Sequence, residues 1–180
     1  MARRGPRPPV LWSLHPTLHD DVARLLDEDD LHLDFFNVDD EETNIEERDT
    51  NIVGRFICRN RRCNSSGWSS GKVPVTIRMY PRQQYNARVY HQRCKKCDVV
   101  ARPILDRTYA ERVAYWIRKW NGIEVERPPI SGRSSGPHES ARCEGCRAGH
   151  CRGLNEDLVL QMNRWVLNRA LSSFHWINSL

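Results

Sequence analysis

Alternation of apolar and polar side chains identifies the clearest pair of elements in the chain. Residues 73–80 alternate with a period of two, which is typical of a half-buried strand, and residues 85–92 alternate in the same way. Residues 81–84 lie between them and contain turn-forming side chains. The pattern predicts a β-hairpin whose second strand leads the chain directly to Cys94.

A helical period follows over Thr108–Trp120, where apolar side chains recur every three or four positions. Thr108 and Glu111 have the spacing of a capping box, and the aromatic residues of the apolar stripe are expected in the core. A shorter amphipathic helix is predicted within Thr17–Leu33. A third helix is predicted within Glu156–Trp176, where the apolar and polar faces are poorly separated.

Charge divides the chain into two unlike parts. Residues 1–50 hold 5 basic and 14 acidic side chains, whereas residues 51–180 hold 23 basic and 9 acidic ones. Residues 1–11 are predicted to be a disordered leader and residues 37–51 a solvated acidic linker. We therefore expect an acidic N-terminal arm (1–50), a basic body (51–153) and a helical tail (154–180). The arm would shield the body or bind a separate partner.

Length and composition exclude some classes of protein. The 180 residues, 39% of them hydrophobic, suit one small domain with tails. No run approaches the roughly 18 apolar residues of a membrane span, and the Arg- and Pro-rich start lacks the apolar part of a secretory signal. We expect no transmembrane segment and an intracellular protein, either cytoplasmic or nuclear. Seven cysteines in such a protein favour metal binding over disulfides.

The cysteines are grouped at spacings that suit tetrahedral zinc. Seven cysteines and one histidine would complete two four-ligand sites, and the eighth ligand is either His138 or His150. His138 is preferred, because His150 adjoins Cys151 and consecutive residues seldom point at one ion. The predicted ligands of two structural Zn²⁺ ions are Cys58, Cys63, Cys94, Cys97, His138, Cys143, Cys146 and Cys151.

Two groupings of these ligands are open. A local grouping places the first four cysteines around one ion and the last four ligands around the other, and it is favoured because it needs shorter loop closures. A cross-braced grouping would instead exchange ligand pairs between the two sites. In either case no coordination position remains for a reactive water, so we expect no enzymatic activity. The expected fold class is α+β, a small zinc-stabilised hairpin or ribbon-like module with one packed helix between the acidic arm and the helical tail.

Four segments carry a family resemblance: Phe56–Cys58, Gln92–Cys97, Tyr109–Val113 and, most specifically, Cys143–Cys151. Over roughly residues 50–153 the sequence resembles the 3CxxC-type zinc-binding domain. It looks most like the fungal form, which is related to the receptor-transporting and zygote arrest proteins of animals. The resemblance implies a β-rich zinc module with the cysteines as ligands. The first cysteine pair departs from the family, because four residues rather than two separate its members.

Two functions compete at this point. The zygote arrest branch is associated with RNA binding, which agrees with the basic body, and stacking on unpaired bases would use Trp68, Tyr85 and Tyr90. The residues expected to bind RNA or another single-stranded nucleic acid are Arg59, Arg61, Arg62, Trp68, Arg88, Arg93, Lys95 and Lys96. The alternative is a protein-interaction or receptor-trafficking adaptor, with the acidic arm or the C-terminal tail as the docking element.

Overall fold

The structure, a computed structural model, describes residues 8–129 and 136–151. The predicted helix within Glu156–Trp176 and the first seven residues of the predicted leader lie outside the described residues. The strands are β1 (Trp12–Ser13), β2 (Asp34–Phe35), β3 (Glu46–Phe56), β4 (Trp68–Tyr80), β5 (Gln84–Tyr90), β6 (Gln92–Arg93), β7 (Val100–Ala101) and β8 (Pro103–Leu105). The helices are α1 (His19–Leu26), α2 (Thr108–Trp120) and α3 (Glu144–Arg147), with 3-10 turns at Pro16–Leu18, Asp27–Asp29 and Ser140–Arg142.

A curled sheet forms the centre of the molecule. Its strands lie in the order β1-β5-β4-β3-β8, with β2 added parallel to β5, while β6 and β7 form a separate two-stranded sheet. The predicted hairpin is confirmed, since β4 and β5 pair antiparallel from Val75 opposite Val89 to Tyr80 opposite Gln84. With helices on this sheet, the predicted α+β class is confirmed.

Helix α2 covers the sheet with the apolar stripe that the sequence predicted. Tyr109, Val113 and Ile117 are buried in the same core as the inward side chains of β3, β4 and β5. The start of the helix differs from the predicted capping box. The Thr108 hydroxyl accepts the backbone N–H of Val53 and donates to the Asp106 carboxylate, so Thr108 fixes α2 to β3 and Asp106 caps the helix.

Helix α1 is the amphipathic helix predicted near the N-terminus. Its buried residues are Val22 and Leu26, and it packs against α2. The charged side of α2 contributes to this contact, because Arg118 donates to Asp29 at 2.5 Å and pairs with Glu28 at 3.0 Å. The apolar side of α1 therefore joins the core that α2 forms with the sheet.

The end of the predicted disordered leader is ordered by contacts with the sheet. The backbone N–H of His91 donates to the Leu11 carbonyl, and the His91 side chain contacts the Val10 carbonyl at 2.8 Å. Trp12 then begins β1 opposite Tyr90. The prediction of disorder is wrong for residues 10 and 11, because their carbonyls satisfy the donors of His91.

The predicted solvated linker over residues 37–51 is also corrected by the structure. From Glu46 onward the segment is β3, paired with β4 along its length, so the predicted boundary at residue 50 falls within a strand. Before it, Asp39 has a side chain only 3% exposed and pairs with both Arg78 and Arg88. The many acidic residues of this segment favoured solvation, but the enclosed guanidinium groups of Arg78 and Arg88 require carboxylates beside them.

Helices long and apolar enough to cross a bilayer do not occur among the described residues.

Candidate metal centres

Cys58, Cys63, Cys94 and Cys97 form one cluster, which we call the first cluster. Cys58 and Cys63 lie on the loop after β3, and Cys94 and Cys97 lie on the knuckle after β6. The Sγ atoms of Cys58 and Cys97 are 3.5 Å apart, and those of Cys63 and Cys94 are 3.8 Å apart. The longer spacing of the first cysteine pair is accommodated by a turn, in which the Cys63 N–H donates to the Asn60 carbonyl.

These separations fit a shared ion. Four sulfurs at tetrahedral positions around Zn²⁺, each with a Zn–S bond of about 2.3 Å, would lie about 3.8 Å from one another. All four sulfurs of the first cluster are within 4.8 Å of one another. Burial raises the pKa of the Cys94 thiol, but hydrogen bonds with the N–H groups of Lys96 and Cys97 and with the Ser65 and Cys58 side chains together lower that pKa to about 6. The knuckle therefore favours the thiolate that zinc requires.

His138, Cys143, Cys146 and Cys151 form the second cluster. The His138 Nε2 atom lies 3.2 Å from the Cys146 Sγ and 3.5 Å from the Cys151 Sγ, which also suits one tetrahedral ion. The structure thus brings together the eight predicted ligands in the local grouping, with His138 in the eighth position.

The second cluster is packed tightly onto the sheet. Helix α3 carries Gly145, and a Cβ atom at this position would lie 2.6 Å from two side-chain atoms of Pro74 in β4. Only glycine permits this approach. His150, the rejected ligand, instead stacks on Tyr90 with ring centroids 5.4 Å apart, and its Nδ1 atom is 3.0 Å from an Asp49 carboxylate oxygen. His150 therefore anchors the end of the domain to β3 and β5.

Several polar contacts join the two clusters. Arg93, immediately before Cys94, donates to the buried carboxylate of Glu144 at 2.5 Å. Arg142, immediately before Cys143, donates to the Cys94 carbonyl at 3.0 Å. Lys95 forms an ion pair with Glu139. Sequence reasoning did not identify Arg142, Glu144 and Gly145 as site residues, because each gains its role only when two distant cysteine groups meet.

The residues predicted to bind nucleic acid fall into two sets. Arg59, Arg61 and Arg62 are exposed on the loop of the first cluster, and Lys96 is exposed on the knuckle, where it donates to Asn64. Lys95 is exposed but paired, and Trp68 is half-buried against Phe56. Arg88 and Arg93, in contrast, are enclosed by ion pairs with Asp39, Glu41 and Glu144.

Arg88 and Arg93 therefore do not belong to an open basic surface, because their guanidinium groups already neutralise carboxylates of the same chain. Tyr85 and Tyr90, two further aromatic residues that sequence reasoning offered for stacking, are buried in the core and cannot receive a base. Arg59, Arg61, Arg62 and Lys96 remain as exposed cations beside the first cluster. We call these four residues the basic loop surface.

Comparison with known proteins gives one match. The model of a family described as a zinc-binding domain, the zinc ribbon of 3CxxC type, matches residues 51–149, more than half of the chain. No curated protein and no solved structure matches the sequence. The matched range contains seven of the eight residues in the two clusters, and Cys151 lies two residues beyond it.

Proposed function

Because the chain belongs to the 3CxxC zinc-binding domain family, we propose that it is a non-enzymatic module that binds single-stranded RNA through the basic loop surface, with Zn²⁺ at both clusters as structural ions. Each cluster supplies four protein donors, which is the full coordination of a structural zinc site. No position is left at which a reacting water could bind. Zinc at these sites would contribute folding free energy and hold the loops in place.

The observation that carries the proposal is the uneven neutralisation of basic side chains. Residues 51–97 contain 11 Lys and Arg and no Asp or Glu. The acidic arm neutralises Arg78 and Arg88, which lie in the sheet. Within the described ranges, no ion pair involves any residue of the basic loop surface, and Lys96 donates to the neutral side chain of Asn64. Cations that are not neutralised by carboxylates attract the phosphates of a nucleic acid whatever its base sequence.

Charge on the first cluster does not account for these cations. Four thiolates and one Zn²⁺ carry a net charge of about −2, which is smaller than the four positive charges of the basic loop surface. Arg55 and Arg102 are also exposed nearby, on β3 and just before β8. A positive excess therefore remains after the metal centre is included, and it is available to a polyanion.

The arrangement favours unpaired strands over a duplex groove. Helix α2 is the longest helix of residues 8–129 and 136–151, and seven of its 13 residues are buried against the sheet and α1. It is a packing element rather than a free recognition helix. Loops that present cations around a rigid centre can instead follow a flexible phosphate backbone.

The test is fluorescence anisotropy of the zinc-loaded full chain with a labelled single-stranded RNA at about 50 and 200 mM salt. We expect binding that weakens strongly with salt. Replacing Arg59, Arg61 and Arg62 together by Gln should weaken binding at least tenfold. It should also reduce the slope of log affinity against log salt by about 2, since each lost phosphate contact removes about 0.7.

The matched control replaces three cations on other elements, Arg24, Arg82 and Lys119, by Gln. This variant has the same net charge as the test variant, so an equal loss of affinity in both would show a diffuse effect of charge and contradict the assignment to the first cluster. Absence of binding by the parent chain at 50 mM salt would overturn the proposal.

A second candidate is a protein-binding adaptor, and exposed aliphatic side chains favour it. Ile57 is 46% exposed beside Cys58, and Ile104 is 53% exposed on the edge strand β8, opposite Arg55. Apolar side chains of this kind are common in protein interfaces. A photo-crosslinking residue at position 57, with products identified after RNase treatment, would test this role. Crosslinks that disappear with RNase would contradict it.

A further inference from the structure

A cleft lies between the two clusters, next to the basic loop surface. Its lining includes Trp68, Ser70 and Lys72 from β4, Lys95 from the knuckle of the first cluster, and His138 and Arg142 from the segment of the second cluster. Lys95 is followed by Lys96 of the basic loop surface, so the cleft and that surface adjoin at the knuckle of the first cluster. The cleft is therefore placed to receive part of the same polyanion.

Trp68 gives the cleft an aromatic wall. One face of its indole is stacked on Phe56, with ring centroids 5.0 Å apart and planes 7° from parallel. Its Nε1–H donates to the Gln92 side chain at 3.1 Å, which fixes the ring in its plane. The Gln92 amide in turn donates to Ser70 and to the Lys72 carbonyl. The Trp68 indole therefore borders the cleft with one face covered by Phe56 and one edge fixed by Gln92.

Cations outnumber carboxylates around this wall. Lys72 is half-exposed and forms no ion pair within residues 8–129 and 136–151. Glu139 is the one carboxylate of the cleft lining, and it is shared by Lys95 and Arg142. Arg142 also lies 3.3 Å from Asp98. A free lysine beside a fixed aromatic face suits a group that combines a flat ring with a negative charge.

The cleft has a volume of about 60 Å³, too small to enclose a nucleotide. From this geometry we propose that one unpaired nucleotide of the bound strand lies at the mouth of the cleft, with the base stacked on Trp68 and the phosphate beside Lys72. This inference rests on the proposed RNA-binding function and deepens it. The basic loop surface attracts any phosphate backbone, whereas the cleft requires a base. The two sites therefore predict different responses to a backbone from which the bases have been removed.

The experiment compares two labelled probes of equal length, a single-stranded oligouridylate and its abasic analogue, on the zinc-loaded full chain. The parent should bind the base-bearing probe about tenfold more tightly, as expected for a stacked base. Trp68→Leu should remove this preference while leaving the affinity for the abasic probe unchanged. Trp68→Phe, which keeps a flat ring, should retain most of the preference. A probe with one 2-aminopurine should lose fluorescence on binding the parent and not on binding Trp68→Leu.

The outcomes separate this inference from the proposed function. Salt-dependent binding of both probes with equal affinity would overturn the cleft and leave RNA binding in place, whereas no binding of either probe would overturn both. Native mass spectrometry would check that each Trp68 variant retains its zinc. Should Trp68→Leu fail to do so, Lys72→Gln replaces it, since the half-exposed Lys72 side chain is not part of the core. For Lys72→Gln we expect a salt slope lower by about 0.7, and an unchanged slope would overturn the cleft.

Discussion

The two metal clusters have similar donor geometry but very different surroundings. The first cluster lies on two loops whose neighbouring side chains are exposed and largely unpaired. Each cluster has one fully buried cysteine, Cys94 or Cys143, but the second cluster lies against the sheet, where Gly145, Glu144 and His150 each contact a strand residue. The comparison indicates a division of tasks, in which the second cluster secures the fold and the first presents a surface.

The largest expected effect comes from breaking each cluster in turn. Cys143→Ser should release one Zn²⁺ and lower the free energy of unfolding by on the order of 5 kcal/mol, because metal binding at the cluster that packs on the sheet contributes folding free energy directly. Cys63→Ser should also release one ion, but it should mainly loosen the exposed loops. Native mass spectrometry with thermal melting checks both variants. Equal losses of Tm would contradict the division of tasks.

The ion pair between Arg93 and Glu144, which joins the two clusters, provides the next test. Among the described residues, Arg93→Gln leaves the Glu144 carboxylate, 3% exposed, with Arg147 at 3.8 Å as its one ion-pair partner, and should cost about 3 kcal/mol of stability in urea unfolding. Arg61→Gln, an exposed control in the same part of the chain, should change stability by less than about 0.5 kcal/mol. Adding Glu144→Gln to Arg93→Gln should recover part of the loss, and its failure to do so would contradict a charge-based role.

Close packing of α3 predicts a smaller effect. Gly145→Ala places a Cβ atom 2.6 Å from Pro74, and we expect it to cost about 2 kcal/mol. Gly149→Ala in the same segment meets no atom within 4 Å and has only the strain of its positive φ, about 1 kcal/mol. Urea unfolding measures the loss of stability in both variants, and a larger loss in Gly149→Ala than in Gly145→Ala would contradict the prediction.

Acid should weaken the attachment of the N-terminal strand to the sheet. Because His91 Nδ1 faces a carbonyl and must donate, its Nε2 accepts from the Ser13 hydroxyl, whose oxygen accepts from His15 Nε2. The other His15 nitrogen faces Arg102. Burial, followed by Arg102 and His91, lowers the pKa of His15 from 6.5 to about 4.

A histidine with a lowered pKa in the folded state stabilises the fold above the pKa of the unfolded state, and this contribution is lost as pH falls from 6.5 towards 4. We expect a loss of about 1 kcal/mol between pH 6.5 and 5.5. His15→Gln should flatten the pH dependence of urea unfolding over this interval. An unchanged pH profile in His15→Gln would show that acid acts elsewhere, for example at the metal ligands.

Sequence periodicity predicted the elements whose side chains alternate between core and solvent. The β4–β5 hairpin and α2 belong to this class, and the cysteine spacing placed the eight candidate ligands on neighbouring loops. Strand β3 was not predicted, because its acidic residues Glu46, Glu47 and Asp49 are typical of a solvated segment. In the fold, Glu47 pairs with Arg78, and Asp49 contacts Thr76 and His150. Pairing between residues distant in the chain leaves no local periodic signal.

Strand β3 joins the acidic arm to the zinc-binding domain without a break, and this has a practical consequence for shortening the protein. A fragment that starts at residue 51, where the family match begins, would cut β3 in the middle and leave Thr76, Ile77 and Arg78 of β4 without the β3 backbone that pairs with them. Exposed inner strands of this kind promote aggregation. The smallest autonomous unit should therefore extend upstream far enough to include Asp39, so that both sheet arginines keep their counter-charge.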